Sequence, residues 1–486
     1  MRYAWRSFRA GTPYEEALLR RAAAPLIVGI ALAVMPAPDG LSIEAWRYFA
    51  LFAMVITGVM TEPLPGAVIG LAGVAAAAAL GLIGDTPAES RAWALSGFAN
   101  GTVWLIFAAY MFTLGYSKTG LGRRIALHLI RLMGRRTLGL GYAITLADLA
   151  IAPFTPSATA RTGGTIFPII RNIPELFGSY PDETARRIGS YLLYTALAAS
   201  MVTSSMFITA LAPNALAISL IDSTIGVSIG WVQWFQGFAP VGVILLALVP
   251  VVVYTIYPPE IKEAPDAPRW AADELAAMGP ISRGEVTMLV LVTGALSLWI
   301  GASRYVDPAI VAILVVVLMV VLRIVPWNDM IGHGQAWNVL AWFATLVTMA
   351  GGLAETGFVD WLGEAIAPMF SGLALYPTII GLIFTFYFLH YFFASITAHT
   401  AALLPVFLGI AVAIPGVSPL GWALLLAYPL GLMGIVTSYG SGQSAVYFGS
   451  GYFTRRDFWR LGFAMGVLFI TVYAAIVVPW LAFLGV

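Results

Sequence analysis

The sequence predicts an all-helical polytopic membrane protein built from an inverted repeat. Three observations carry this prediction: an apolar composition, a series of long apolar runs, and a polar motif that occurs twice. Of the 486 residues, 60% are hydrophobic and 10% are charged, whereas soluble domains carry about 25% charged residues. A membrane span needs about 20 apolar residues, and the chain has room for roughly a dozen such runs.

Composition also excludes several classes of function. The net charge is +1, so a nucleic acid is not an expected partner. The chain has no cysteine, which excludes thiol catalysis, disulfides and cysteine-bound metals. We therefore expect no metal and no cofactor, and we expect the lipid bilayer to surround the protein.

The N-terminal segment is basic, and its arginines are Arg2, Arg6, Arg9, Arg20 and Arg21. An apolar run follows from about Pro25 to Met35. This run lacks a convincing small-residue cleavage site, so we interpret it as the first span and not as a removable signal peptide. The basic segment before it places the N-terminus in the cytoplasm.

The first half continues with two further apolar runs, a loop, a run that begins at Trp104, and a basic helix. In order these are residues 44–61, 64–83, 84–100, 104–116 and 121–136. In the last of them Ile125, Leu129 and Leu132 form a stripe that arginines surround. This pattern favours a helix lying along a membrane face, and a solvated connector is the alternative.

A first motif region follows at residues 137–175, then a span that breaks near residues 204–214, and then a span that ends at Tyr257. Residues 258–283 hold several prolines and charges and a short helical piece over 270–279. They predict a linker. The second half repeats this order, with spans near 285–301 and 308–325, a run from Gly334 to Gly357, a lateral helix over 361–370, a second motif region over 376–412, a span broken at 437–443, and a last span over 458–484.

The repeated motif is S-x-T-A-(basic)-T, which occurs at residues 157–162 and 395–400. Arginines flank the first copy. Acidic residues precede the second copy, and no lysine or arginine occurs between Arg323 and Arg455. By the positive-inside rule the two regions face opposite sides of the membrane, as in an inverted repeat with a substrate site at the midplane.

Each motif region is either a re-entrant hairpin or an ordinary span. Pro153 and Pro156 favour a hairpin with a broken tip, because proline removes a backbone donor and disfavours helix at the residue before it. We thus expect an N-terminal segment with the first span at 1–43, a first repeat at 44–257 with an inward-facing hairpin at 137–175, a cytoplasmic linker at 258–283, and a second repeat at 284–486 with an outward-facing hairpin at 376–412.

The motif hydroxyls belong to Ser157, Thr159, Ser395 and Thr397. Broken helices beside them would present unpaired backbone N–H groups at a positive dipole end. Such an arrangement binds carboxylates without the cost of burying full charges. The alternative for any single hydroxyl is a bond to the carbonyl one turn earlier in its own helix.

Arg161 and His399 occupy the same place in the two copies. A basic residue deep in an apolar segment is functional by default, and a structural pair with a carbonyl or carboxylate is the alternative. Asp148 is the available partner of Arg161. His128 and His333 are expected at the interface, and His390 is ambiguous.

Four stretches carry a resemblance to a known family: PSATARTGGTIFPI, FFASITAHTAALLPVF, SSMFITALAPNALA and SGQSAVYFGSGYFTRRDFW. The sequence resembles the divalent anion/sodium symporter (DASS) family, in particular its branch of 2-oxoglutarate/malate and citrate–dicarboxylate exchangers. The resemblance implies about eleven transmembrane helices plus two re-entrant hairpins, a homodimer, and elevator-type alternating access. It also implies a small organic di- or tricarboxylate held between the two hairpin tips.

The family's tip motif is usually Ser-Asn-Thr, so the resemblance implies substrate contacts at Ser157, Ala158 and Thr159 and at Ser395, Ile396 and Thr397. Ala158 and Ile396 replace the asparagines and leave the choice of substrate open. The second broken span reads SGQSA where a threonine-glycine-proline pattern is expected. Gln443, Ser444 and Asn214 are candidates to supply polar contacts in place of the missing groups.

Members of this branch place basic side chains where the sodium-coupled members bind sodium. Arg161 and His399 match those positions. The resemblance therefore implies a sodium-independent antiporter, in the inner (plasma) membrane if the protein is bacterial. The alternative is sodium- or proton-coupled symport of a carboxylate or sulfonate. An intramembrane hydrolase using Ser395 and His399, four residues apart, and a channel are the alternatives from other classes; we expect no enzyme.

Overall fold

The computed structural model describes residues 13–155, 157–303, 305–370 and 373–486. Pro156 and the arginines at positions 2, 6 and 9 lie outside these residues. The described residues form helices joined by short turns, with one isolated β-bridge between Arg136 and Glu263. The prediction of an all-helical fold is confirmed.

The first half runs from α1 to α12. Its helices are α1 (Pro13–Val34), α2 (Ile43–Thr61), α3 (Gly66–Ala79), α4 (Pro87–Ser96), α5 (Gly101–Thr119), α6 (Leu121–Met133), α7 (Thr137–Ile151), α8 (Ala158–Arg161), α9 (Phe167–Leu176), α10 (Gly189–Met206), α11 (Ala212–Ile225) and α12 (Trp231–Ile256). A π-helical turn, Thr162–Ile166, joins α8 to α9.

The linker and the second half run from α13 to α24. These helices are α13 (Asp266–Met278), α14 (Arg283–Gly301), α15 (Pro308–Val321), α16 (Trp327–Ile331), α17 (Gly334–Glu355), α18 (Phe358–Phe370), α19 (Leu375–Phe388), α20 (Ile396–Val412), α21 (Pro419–Ala427), α22 (Pro429–Leu432), α23 (Gly442–Phe448) and α24 (Arg455–Phe483).

Length and composition make eight helical segments of the described chain capable of crossing a membrane, and five more apolar helices are shorter. Large apolar side chains are exposed along these helices, for example Ile310, Leu314 and Val317 on α15. A soluble protein would not leave such a band in water, whereas lipid covers it at no cost.

The two halves share one order of elements. Each has two apolar helices, a short helix, a long helix, a lateral helix, a hairpin, an interrupted helix and a final long helix. In this order α17 is the counterpart of α5, and α15 is the counterpart of α3. The contacts follow the same correspondence, because α5 packs against α15 and α17 packs against α3. The shared order supports the predicted repeat, and the opposite orientation of the halves stays a prediction.

Helix starts show why the sequence divides as it does. Asn100 caps α5 by accepting hydrogen bonds from the amides of Thr102 and Val103 at 2.9 and 3.2 Å. Gly120 ends this helix in the left-handed conformation with φ 76°. The region 84–100, predicted as a loop, contains α4. Thr86 and Glu89 form a capping box at the start of this helix. The helix is too short and too polar for a hydropathy pattern to reveal it.

The basic lateral helix α6 has two apolar faces. Its buried face, which includes Leu127 and Ile130, packs against α7 and α13. Leu132 of the predicted stripe is 79% exposed. Arg124 does not face the surroundings; it makes a two-pronged bond to Glu285 on α14. This ion pair joins α6 to the start of the second half.

Both predicted hairpins have a helix, a short turn and a second helix. The first hairpin is α7, the turn, and the helical segment from Ala158 to Leu176; the second is α19 with α20. In each, the two arms contact one another. Beside the first hairpin lies α10, every residue of which is buried. It packs against α7, α12 and α22 and forms the centre of the fold.

Candidate functional site: a cavity where four helices begin

A cavity of about 160 Å³ lies where the two hairpin tips meet the two interrupted helices. We call it the central cavity. The described residues that line it are Tyr110, Ser157, Ala158, Thr159, Leu211, Ala212, Pro213, Ala394, Ser395, Ile396, Thr397, Ser441, Gly442 and Gln443. Apart from Tyr110 and Ala394, they are three residues at the start of each of α8, α11, α20 and α23.

Three of these four helices begin with a serine cap. Ser157 Oγ accepts from the amide of Ala160 at 3.1 Å, and Ser395 Oγ from the amide of Ala398 at 3.4 Å. Ser441 Oγ accepts from the amide of Ser444 at 3.1 Å. A capping serine uses its oxygen toward its own helix. Ser157 and Ser395 therefore keep an O–H to donate into the cavity.

None of the described residues that line the cavity carries a formal charge. Its positive character comes from unpaired backbone N–H groups and helix dipoles, which converge from four directions. Hydroxyl groups add further donors, and the apolar side of the wall comes from residues such as Ile396 and Leu211. This combination suits a small anion with carboxylate groups and a short apolar body.

Seven of the nine predicted contact residues line the central cavity: Ser157, Ala158, Thr159, Ser395, Ile396, Thr397 and Gln443. Asn214 and Ser444 do not line it. The amide of Asn214 donates to the carbonyls of Ser204 and Phe207 at 2.6 and 3.0 Å and so ties α11 to the end of α10. Ser444 Oγ donates to the Gly434 carbonyl at 2.8 Å. Both are buried behind the wall, and their role in binding stays a prediction.

Sequence reasoning missed Tyr110, Ala394, Ser441 and Gly442, and it missed the cavity contribution of the α11 start at residues 211–213. Tyr110 lies in the middle of α5 and lines the cavity together with Ser157. No local signal marks it, because its place in the wall depends on how α5 packs against a hairpin tip far along the chain. Ser441 had a signal, since a serine directly before a helix start is a cap.

Arg161 is fully buried, and all three nitrogens of its guanidinium have partners. Nε donates to Asp148 Oδ1 at 3.0 Å, and Nη1 donates to the carbonyls of Thr155 and Ala210 at 3.0 and 2.9 Å. Nη2 donates to the hydroxyls of Thr203 and Ser204 at 3.3 and 3.1 Å. Arg161 thus joins the first hairpin tip to the interruption between α10 and α11, and Asp148 balances its charge.

His399 is buried on the first turn of α20, and neither ring nitrogen has a hydrogen-bond partner among the described residues. The rings of Phe386, Phe393 and His390 surround it, with centroids 4.6, 5.0 and 5.2 Å away. The two basic residues of the repeated motif are therefore unlike: Arg161 has a counter-ion and a full set of hydrogen bonds, and His399 has neither. Neither ring nitrogen of His399 bonds the Ser395 hydroxyl within the described residues, so these residues do not form the serine–histidine hydrogen bond of a hydrolase.

Comparison with known proteins identifies the family. A family model described as the sodium:sulfate symporter transmembrane region matches residues 16–486. The chain belongs to this family. The membership confirms the resemblance drawn from the repeated motif, and with it the assignment of the chain as a multi-pass membrane transporter.

Curated relatives match this sodium:sulfate symporter family member over almost its whole length. The "L-tartrate/succinate antiporter" of Shigella sonnei (strain Ss046) is 45% identical over 471 residues, which cover 94% of this chain and 97% of the relative. The "Citrate/succinate antiporter" of Escherichia coli (strain K12) is 44% identical over 476 residues, with the same coverage of both chains.

Two solved structures share the fold at low sequence identity. The Alcanivorax borkumensis YdaH transporter aligns with a TM-score of 0.57 and 14% identity, covering 97% of each chain. Neisseria gonorrhoeae MtrF aligns with a TM-score of 0.56 and 11% identity, covering 97% of this chain and 96% of MtrF. These likenesses show a shared fold.

Proposed function

We propose that this protein is a secondary transporter that exchanges one small organic dianion for another, with di- and tricarboxylates as substrates. The observation that carries the proposal is the central cavity, where four helix starts and the motif hydroxyls supply donors from both halves and no side chain brings a charge. Relatives whose names pair succinate with L-tartrate or citrate support the substrate class. No step of this function requires an enzyme activity.

Arg161 and His399 support sodium independence. The Arg161 guanidinium lies between α8 and the end of α10, where it donates hydrogen bonds to Asp148, Ala210 and Ser204. As a side chain of the protein, this cation cannot leave with the substrate. Because Asp148 balances it, Arg161 adds no excess charge to the empty carrier. Only protonated His399 would give the empty carrier an excess positive charge. That buried charge would slow the movement of the empty carrier between the two sides of the membrane.

We further propose that transport follows an elevator mechanism in a homodimer. The moving part would contain the two hairpins with α10 to α12 and α21 to α24, since these elements supply every described lining residue except Tyr110 of α5 or pack directly around those residues. The inverted repeat at 44–257 and 284–486, the cytoplasmic linker at 258–283, a cytoplasmic N-terminus and, in a bacterium, insertion into the inner membrane belong to the same proposal.

Counterflow in proteoliposomes tests the proposed exchange. We expect labelled succinate to enter only vesicles that contain an internal dianion, and to enter equally well when choline replaces sodium. A panel of unlabelled anions inside the vesicles, including malate, tartrate, citrate and a sulfonate, ranks the substrates. Uptake into anion-free vesicles on a sodium gradient would refute the proposal.

Two threonines on α20 test whether the substrate binds in the central cavity. Thr397 lines the cavity, whereas Thr400 is buried and donates to the Ile396 carbonyl at 2.8 Å. We expect Thr397→Val to lower kcat/KM for succinate exchange roughly tenfold, the loss of about one hydrogen bond to a charged group. Thr400→Val should keep most of the activity. Equal effects of the two substitutions would place the substrate elsewhere.

The second candidate function is proton-coupled symport of a carboxylate or sulfonate. The unpartnered ring nitrogens of His399 favour it, because such a group could carry a proton with each transport cycle. A pH gradient imposed across anion-free vesicles tests it directly. Uphill succinate accumulation under that gradient would establish symport in place of exchange.

A further inference from the structure

His390 and His399 form a buried pair directly behind the tip of the second hairpin. Both side chains are fully buried, and their ring centroids are 5.2 Å apart at an interplanar angle of 69°. His390 precedes the tip and His399 follows it, so the pair closes the base of the turn that carries Ser395. Ser395 and Thr397 line the central cavity at the start of α20, and neither histidine is among the described residues that line it.

The hydrogen bond to Gly440 determines the state of His390. Its Nε2 lies 3.0 Å from the Gly440 carbonyl oxygen. A carbonyl only accepts, so Nε2 carries the hydrogen and Nδ1 of the neutral ring presents a lone pair. That Nδ1 has no partner among the described residues. His390 therefore offers a fixed acceptor beside a histidine that has none.

Several buried polar atoms of the pair and of its surroundings lack a hydrogen-bond partner. Both nitrogens of His399, Nδ1 of His390 and Oγ1 of Thr437 are buried without a hydrogen-bond partner in the described part of the chain. A cluster of this kind is costly in the neutral state, since each atom has lost its bonds to water. A proton placed between the two rings would give the cluster one strong, charge-assisted hydrogen bond.

His390 is the titratable side chain in ring contact with His399. The charged side chains on the helices packed against α20 are all exposed; they are Glu44, Arg47, Asp222, Glu355, Asp360 and Glu364. The tyrosines of the adjoining segments are Tyr387, Tyr391 and Tyr439, and the first and last donate to backbone carbonyls. Among the described residues, the helices packed against α20 therefore carry no buried counter-ion for a proton on the pair.

An anion in the central cavity would supply that counter-charge. His399 lies two residues beyond Thr397, which lines the cavity, and this places it about 3 Å further along the helix axis. Two positive imidazolium rings in contact repel one another, so the pair accepts one proton and not two. Arg161 cannot take part in such a change, because it is always protonated and is paired with Asp148.

We propose that His390 and His399 form a single proton-binding site that is linked to occupancy of the central cavity. When a dianion binds, one proton passes from water to an imidazole nitrogen of the pair; when the anion leaves, that N–H bond breaks and the proton returns to water. His390 is the positioning residue, whose Nδ1 accepts from protonated His399 directly or through a water molecule. This inference rests on the proposed exchange of dianions.

Linkage fixes the sign of the pH dependence. If anion binding promotes protonation, the protonated carrier binds the anion more tightly by the same factor. Succinate affinity should therefore fall as the pH rises through the titration of the pair. With His399→Gln the affinity should be lower and almost independent of pH, over a range where succinate itself is fully ionised.

Calorimetry of succinate binding to the purified full-length protein tests the linkage. Titrations in buffers of different ionisation enthalpy measure the protons taken up for each anion bound. We expect a clear uptake of at most one proton in the unsubstituted protein, and almost none in His399→Gln and in His390→Gln, whose amide can still donate to Gly440. His128→Gln, on the exposed face of α6, is the matched control and should behave like the unsubstituted protein.

The outcomes separate the two proposals. Binding heat with no dependence on the buffer overturns the proton site and leaves dianion exchange in place, and so does an unchanged proton uptake in His390→Gln. No heat of binding with any of the dicarboxylates overturns the proposed function. Histidine-labelled NMR then still tests the pair without a ligand: replacing one of the two histidines must shift the titration of the other, and independent titrations would overturn the pair.

Discussion

The two basic residues of the repeated motif show that equal positions in a sequence do not have equal chemistry. Arg161 donates hydrogen bonds to the Asp148 carboxylate on α7 and to the backbone carbonyls of Thr155 and Ala210. His399 lies among aromatic rings. Arg161 is a permanent cation that Asp148 neutralises, and it connects the first hairpin to α10. Of the two residues, only His399 can change its charge during a transport cycle.

Replacing Asp148 with asparagine should destabilise the protein strongly. The change leaves the Arg161 charge buried without its counter-ion, and removing one partner of a buried pair costs about 3–5 kcal/mol. The double substitution Asp148→Asn with Arg161→Gln removes both charges and should recover most of the lost thermal stability. Melting curves in detergent measure both effects. A double variant no more stable than Asp148→Asn alone would contradict the assignment of the pair.

Arg161→Ala is expected to abolish transport in the counterflow assay, since the hairpin tip loses its bonds to the interruption between α10 and α11. The stability-recovered double variant separates folding from function. If it folds and transports at the normal rate, Arg161 is not needed for the transport cycle.

Tyr110→Phe tests a cavity residue that sequence reasoning missed. Removal of this hydroxyl from the wall of the central cavity should raise KM for succinate several-fold, in line with about 1 kcal/mol for one hydrogen bond. The control is Tyr142→Phe, which removes a hydroxyl that donates to the Ala247 carbonyl at 2.8 Å on an exposed face. Initial rates of counterflow at a series of succinate concentrations measure both; equal KM values would exclude Tyr110 from the site.

At the scale of the elements, the sequence contains most of what fixes the architecture. Proline, serine and glycine at residues 204–214 and 437–443 interrupt the two helices where the sequence predicts breaks. The helical segments of the two predicted hairpins run from Thr137 to Leu176 and from Leu375 to Val412, and their re-entrant course stays a prediction. These signals are local: caps, missing backbone donors and apolar runs. A local signal can be read without knowledge of the packing.

The remaining features depend on contacts between distant segments. The Asp148 partner of Arg161 was expected, but the carbonyls that complete its shell come from Thr155 and Ala210, which no pattern links to it. Asn214 looked like a cavity residue, yet its amide is turned toward the end of α10. Side-chain direction at a broken helix depends on which backbone groups are left unpaired nearby, and hydropathy does not contain that information.

Gly442 lies where the start of α23 approaches the tip of the first hairpin. A methyl group at this position would meet Oγ1 of Thr159, so the start of α23 and the first hairpin tip would have to separate. Overpacking of this kind costs about 1–3 kcal/mol, and we expect Gly442→Ala to lower kcat/KM at least several-fold. Gly294→Ala, on α14 with no atom within 4 Å of the added carbon, should leave exchange intact. Comparable losses would point to a general effect of glycine replacement.

For the whole molecule, the central question is which parts move. The ion pair of Arg124 with Glu285 joins α6 to α14, and α15 packs on both α5 and α14. The first hairpin packs against α6 as well as against α10 and α12. We propose that α5, α6, α14 and α15 form one body of the elevator and that its boundary with the moving part passes between α6 and the second arm of the first hairpin.

A disulfide across this boundary should stop transport. A carbon added at Gly122 on α6 would lie 4.0 Å from Cβ of Thr165, within the range that a disulfide spans. The chain contains no cysteine, so Gly122→Cys with Thr165→Cys introduces a single possible bond. The control is Gly101→Cys with Ala309→Cys, which joins α5 to α15 inside one body at 3.7 Å. We expect oxidation to halt succinate counterflow in the first pair and reduction to restore it, while the control pair exchanges in both states. An oxidised first pair that still transports at the full rate would show that the hairpin does not move past α6, and the proposed elevator boundary would be wrong.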